Sequence, residues 1–100
     1  MDDLKIQFDE AVKNSKTIPV KPSNDDLLFL YAHYKQGTDG NCFGNRPGMM
    51  DLVGRAKYDA WKKLEGLSKE DAMKKYIDKV RVLKTGMSPE DLEKMGKHTK

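Results

Sequence analysis

Apolar residues in this chain return every three or four positions in four separate stretches, and nowhere do they alternate in twos. Leu4, Phe8, Ala11 and Val12 share one helical face, as do Leu27, Leu30, Tyr31 and Tyr34. Leu52, Ala56, Ala60, Trp61 and Leu64 form a third stripe, and Met73, Tyr76, Ile77, Val80 and Leu83 a fourth. A stripe of this period buries one side of an α-helix and leaves the other wet. No β-branched run and no Asn-Gly hairpin signal competes with it. The pattern predicts an all-α bundle of four helices.

The punctuation between the stripes agrees. Pro19 and Pro22 end the first helix, expected over about Asp3 to Ser15, and force an extended connection. Ser23 caps the second helix with acids following it, and Gly37 reads as its stop. Thr38 to Met50 is then a loop of unusual length, a kind that often carries function. Asp51 caps the third helix, with Leu52, Ala56, Ala60, Trp61 and Leu64 expected on its inner side and Gly66 at its end. Ser68-Lys69-Glu70-Asp71 starts the fourth, to about Lys84. Ser88-Pro89-Glu90-Asp91 repeats that start and predicts a short extra helix to about Met95, before a polar tail. The organisation expected is one domain over residues 1–86 and an extension over 87–100.

Composition narrows the classes. A chain of 100 residues holds one core, and with 37% hydrophobic against 35% charged residues its apolar stripes must be narrow. A single cysteine, Cys42, allows no internal disulfide, so packing alone has to supply stability, and a reducing, cytoplasmic setting is expected. The first residues show no basic segment followed by an apolar one, so a secretory signal is not expected, nor is a membrane span. The net charge of +3 is a mild bias toward anionic partners, far from a polybasic tail.

Few residues are placed for chemistry. One Cys and two distant His, His33 and His98, make no structural zinc site, so no metal is expected. No nucleophile–base pair can be drawn, so no catalytic residue is expected. His33 lies off the stripe of its helix and reads as a half-exposed surface residue. Met49 and Met50 suit either an apolar groove or core packing beneath the loop. Tyr31 and Lys35, one turn apart, offer a rigid ring, a hydroxyl and an ammonium to a phosphate, and Lys57 can approach the same anion from the third helix. The plainer reading of the same residues is a core tyrosine edged by a solvated lysine.

Four collinear motifs decide between these. Leu28-Phe29-Leu30-Tyr31-Ala32-His33-Tyr34-Lys35-Gln36, Arg46-Pro47-Gly48-Met49, Ala56-Lys57-Tyr58-Asp59-Ala60-Trp61 and Ser68-Lys69-Glu70-Asp71-Ala72-Met73-Lys74-Lys75-Tyr76-Ile77 resemble the acyl-CoA-binding protein family, over about residues 4 to 85. The resemblance implies an up-down-down-up four-helix bundle that binds medium- to long-chain acyl-CoA without transforming it. Such a protein is a monomeric intracellular carrier and pool former with no cofactor beyond that ligand. By matched position, Tyr31, Lys35 and Lys57 would hold the 3′-phosphate and neighbouring phosphates. Tyr76 would meet the adenosine part, and Lys16 would lie near the head group. Phe8, Ala11, Val12, Leu27 and Leu28 would flank the tail and pantetheine.

The chain departs from the family pattern at Tyr58, where tryptophan is common, at Val53, where a lysine is usual, and in the loop before Arg46, which lacks the usual acid. Transient contact with membranes or acyl-CoA-using enzymes is compatible with a carrier. Two alternatives stand beside it. One is the N-terminal acyl-CoA-binding domain of a longer lipid-metabolism enzyme. The other is a helical interaction module using Lys74, Lys75, Lys79 and Arg81, although these alternate with acids as a solvated face does, and nucleic acid is not expected as a partner.

Overall fold

The computed structural model describes residues 2–85 and contains four helices, α1 (Asp2–Ser15), α2 (Asn24–Asp39), α3 (Leu52–Lys62) and α4 (Lys69–Thr85). The short helix expected at Ser88–Met95 lies outside the described residues. The helix starts are made as the sequence predicts. The Ser23 hydroxyl accepts from Asp26 N, the Asp51 carboxylate from Gly54 N, and the Ser68 hydroxyl from Asp71 N. Each satisfies one of the amides a helix leaves unpaired in its first turn.

Cross-helix contacts fix the topology. Asp26, near the start of α2, pairs with Lys79 late in α4 at 2.7 Å, while Gln36, near the end of α2, donates to the carbonyl of Leu67 just ahead of α4 at 2.8 Å. These two helices are antiparallel. The Lys84 ammonium, at the end of α4, donates to the hydroxyl of Thr17 just beyond α1, so α1 and α4 run together. Lys57 lies against Tyr31 and, one turn on, Trp61 lies against Lys35, so α2 and α3 also run together. The result is up-down-down-up, with α1 packed on α4, α3 packed on α2, and the α2–α4 pair between them.

Two clusters form the interior. The larger joins Phe8 and Ala11 of α1, Leu30 of α2 and Tyr76, Ile77 and Val80 of α4, with Leu4, Val12, Met73 and Leu83 closing its edges. The smaller gathers Ala32, Cys42 and Trp61, bordered by Tyr58, Ala60 and Leu64. It lies on the other side of α2, so burial in that helix falls on Ala32, His33 and Gln36 beside Leu30, while Leu27 and Tyr34 of the expected stripe are exposed.

Two expectations need correction for this reason. His33 is not a half-exposed surface residue. It is 4% exposed, its ring stacks on Phe29 with centroids 4.0 Å apart, and its Nδ1–H donates to the Phe29 carbonyl at 2.8 Å. Nor does Gly37 stop α2. The helix continues to Asp39, and Gly40, at φ 84°, ends it. Gly37 instead permits close approach: a Cβ there would meet Met73 Cγ at 3.2 Å and Phe8 Cζ at 3.6 Å.

The third helix also differs in detail. It ends at Lys62, ahead of a turn that Gly66 closes at φ 93°. Leu52 and Ala56 face solvent instead of the interior, whereas Trp61 is buried as expected.

The long loop is laid along α3 by that helix's own side chains. Trp61 Nε1 donates to the Gly40 carbonyl, the Tyr58 hydroxyl donates to the Gly44 carbonyl, and Arg46 forms a two-pronged ion pair with Asp59 at 2.9 and 2.7 Å. Phe43 meets Trp61 edge-on, and Cys42, a free thiol, is buried beneath the loop. Fully buried Gln36 completes the fixing. Its Nε2 donates to both Asn41 Oδ1 and the Leu67 carbonyl, and Asn41 Oδ1 also accepts from Gly66 N. Nothing in the apolar periodicity announced this junction.

Candidate functional site

Because α2 and α3 run parallel, side chains one turn apart on each meet in register along a seam. Lys57 of α3 places its Nζ 5.3 Å from the centre of the Tyr31 ring. Lys35 of α2 places its Nζ 5.0 Å from the Trp61 ring. Each helix thus supplies one cation and one ring, in reciprocal order. A cation held over an aromatic face contributes about 0.5–1 kcal/mol where water reaches it, enough to bias both ammonium groups toward the seam.

The two lysines differ in their partners. Lys35 also pairs with Asp39, one turn further along α2. The hydrogen bond to that carboxylate raises the Lys35 pKa, with desolvation opposing and the Asp39 charge adding to the rise, and the same bond lowers that of Asp39. Lys57 is exposed and forms no ion pair among the described residues.

Toward the starts of α2 and α3 the seam opens into an apolar groove of about 390 Å³, with Leu27, Leu28, Leu52, Val53 and Ala56 in its walls, Asn24 at one end and Lys57 at its edge. An apolar trough with Lys57 at its edge, and Lys35 one turn further along the seam, matches a ligand with a greasy part and an anionic part. Tyr31, Lys57, Leu27, Leu28 and Lys35 are therefore brought to one seam.

The other expected site residues lie across α2. Phe8, Ala11 and Tyr76 are buried in the larger cluster, where Phe8 stacks on Tyr34 at 5.9 Å and meets Tyr76 edge-on at 5.2 Å. Burial raises the Tyr76 pKa, which a hydrogen bond with Ser15 partly opposes. Val12 is half-buried at the rim of that cluster, and Lys16 is exposed just past α1.

Three residues that sequence reasoning gave no place in the site, Leu52, Val53 and Ala56, line the groove, and Asp39 holds Lys35 of the seam. Asp39 was missed because the expected stop at Gly37 put it in the loop, whereas the helix runs on to Asp39 and so sets it one turn after Lys35. Of the basic residues proposed for an interaction face, Lys79 is engaged twice, with Asp26 and over the Phe29 ring at 5.2 Å.

The model of the family described as "Acyl CoA binding protein" matches residues 5–80. The chain belongs to that family. It is 53% identical over 81 residues to an acyl-CoA-binding protein homolog of Manduca sexta, and 51% identical over 80 residues to an acyl-CoA-binding protein of Gossypium hirsutum; each match covers 80% of this chain and 90% of the relative. The crystal structure of Oryza sativa acyl-CoA-binding protein 2 superposes with a TM-score of 0.78 at 44% identity, over 94% of both chains. An acyl-CoA-binding protein from Moniliophthora perniciosa gives 0.75 at 40% identity, over 93% of this chain and 92% of that one. These likenesses agree with the all-α, up-down-down-up architecture of this acyl-CoA-binding protein family member.

Proposed function

We propose that this protein binds long-chain acyl-CoA thioesters one to one and carries them unchanged, as a monomeric cytoplasmic carrier and pool former. The observation that carries the reading is the seam itself, an apolar groove edged by the Lys57 ammonium with Lys35 of the neighbouring helix one turn further along. Lys57 and Lys35 take phosphates of the CoA head, and Tyr31 adds its hydroxyl and ring. Leu27 and Leu28, with Leu52, Val53 and Ala56, receive the acyl chain. Lys16 guides the head group from the end of α1. Tyr76 meets the adenosine part through its hydroxyl edge, while Phe8, Ala11 and Val12 hold the wall that positions it.

Magnitudes favour an amphiphile over either of its halves. Each buried methylene contributes about 0.8 kcal/mol. A hydrogen bond from an ammonium to phosphate contributes roughly 1.5–3 kcal/mol. Losing either set costs several powers of ten in affinity.

Titration calorimetry with palmitoyl-CoA, free CoA and palmitate tests the proposal. Tight one-to-one binding of the thioester, with both halves much weaker, is the expected result. Equal binding of palmitate and palmitoyl-CoA would overturn the role given to the lysines, and no thioester binding would overturn the reading itself. Palmitoyl-CoA incubated with the protein should hydrolyse no faster than in buffer.

A further inference from the structure

The topology brings the end of α1, the starts of α2 and α3 and the end of α4 to one pole of the bundle, and the groove opens there. At that pole four large apolar side chains stand in water within five positions: Met49 is 78% exposed, Met50 97%, Leu52 73% and Val53 68%. Val20, in the α1–α2 connection, is exposed as well. Apolar side chains gathered this way on a small soluble domain mark a contact surface.

The charges around them have a sign. Lys16, Lys21 and Lys57 are exposed and Lys84 reaches only the Thr17 hydroxyl, so none of the four pairs with a carboxylate among the described residues. Against them stand Asp25 and Asp51, the latter tied to Gly54 N at the start of α3. The Asp26 carboxylate is already neutralised by Lys79.

We infer that this pole docks on an anionic lipid bilayer, with Met49, Met50, Leu52 and Val53 entering the headgroup–acyl boundary and Lys21 and Lys84, which have no part in the seam, meeting lipid phosphates. Size favours a bilayer over a protein. A stable protein interface takes roughly 20–30 residues from each side, whereas a few apolar anchors beside basic groups suffice for reversible membrane association. Continuity favours it too, since Leu52 and Val53 belong both to the exposed edge and to the groove wall. A docked molecule therefore opens its groove toward the layer in which acyl chains are dissolved. That delivery role rests on the acyl-CoA reading; the docking surface does not.

The test uses the full chain with large vesicles of phosphatidylcholine alone and with 30% phosphatidylserine, read by co-flotation. Met49 and Met50 stand outside the groove lining and are exposed, so Met49→Ser/Met50→Ser should keep its helicity and its palmitoyl-CoA affinity in solution. Its association with the anionic vesicles should weaken at least about tenfold, the floor set by two apolar anchors that are only partly buried. Lys21→Glu should weaken it as well, and the wild type should prefer the anionic vesicles. Equal flotation of wild type and the Met49/Met50 variant would overturn the inference. So would wild type that fails to float but forms a dimer in sedimentation that the variant abolishes, because the surface then belongs to a second copy. Flotation as expected without palmitoyl-CoA binding would leave docking standing and remove the carrier reading.

Discussion

At the residue scale the most consequential finding is that His33 is buried. Desolvation lowers its pKa, the hydrogen bond to the Phe29 carbonyl opposes that, and the nearby Lys75 charge adds to the lowering. The folded protein thus resists a proton that the unfolded chain accepts once pH falls through about 6.5. Stability contributed by neutral His33 is complete above that point and drains away progressively as pH falls toward the depressed folded value. Urea midpoints should fall between pH 7.5 and 5.5, and His33→Asn should flatten that slope. A slope unchanged in the variant would assign it to other groups. Asp26, whose pKa the Lys79 hydrogen bond lowers, acts in a separate window, with its contribution lost only as pH falls below the ordinary carboxylate range.

The two seam lysines make a second pair of predictions. Lys57→Ala should weaken palmitoyl-CoA binding by roughly ten- to a hundredfold, the value of one charge-assisted hydrogen bond, with thermal unfolding little changed. Asp39→Asn should do the reverse, tightening binding by releasing Lys35, and calorimetry reads both. Spacing placed Lys35 one turn from Tyr31 and Lys57 on the next helix, and the resemblance of their motifs to the acyl-CoA-binding family singled both out. Asp39 was passed over because the expected stop at Gly37 put it in the loop.

At the scale of the element, caps were legible and so were the ends of α1 at Ser15 and α4 at Thr85, but the glycine stop of α2 was not. A cap is a local bargain between one side chain and an amide three residues on, so Ser23, Asp51 and Ser68 could be found by spacing alone. Whether a glycine ends a helix depends on what lies against it, and Gly37 runs on because Met73 and Phe8 press where a side chain would be. Gly37→Val should overpack that contact and cost roughly 1–3 kcal/mol in chemical denaturation. The misjudged burial of His33 has the same origin: a stripe describes one face, and α2 packs on both α3 and α4. Gln36 was invisible for a different reason. Its two donor bonds join the end of α2 to the loop and to the approach to α4. Gln36→Ala should destabilise the protein by about 1–2 kcal/mol, since the half-buried Leu67 carbonyl would lose its donor and the junction its link to Asn41.

For the molecule as a whole, the order of helices determines which parts depend on which. The larger cluster binds α1, α2 and α4 together, whereas α3 is attached to the rest through α2, the small cluster and the loop. Local opening follows local burial. Amide exchange should be slowest in α2 and α4 and fastest in α3, and palmitoyl-CoA should slow α3 most. Uniform slowing across all four helices would contradict this. The number of helices was readable from periodicity because four stripes need four helices, and their up-down-down-up order was implied by the family resemblance, but the uneven division of the interior was legible in neither, being a property of how the stripes are paired. It has a consequence for exchange of cargo. If exchange is fastest in α3 as predicted, one wall of the groove is the part that lets go first, and a ligand can leave by a brief loosening of α3 while the other three helices stay folded. The rate of release is then set by the stability of a single hinged wall, and the loop staples at Tyr58, Asp59 and Trp61 become the latch.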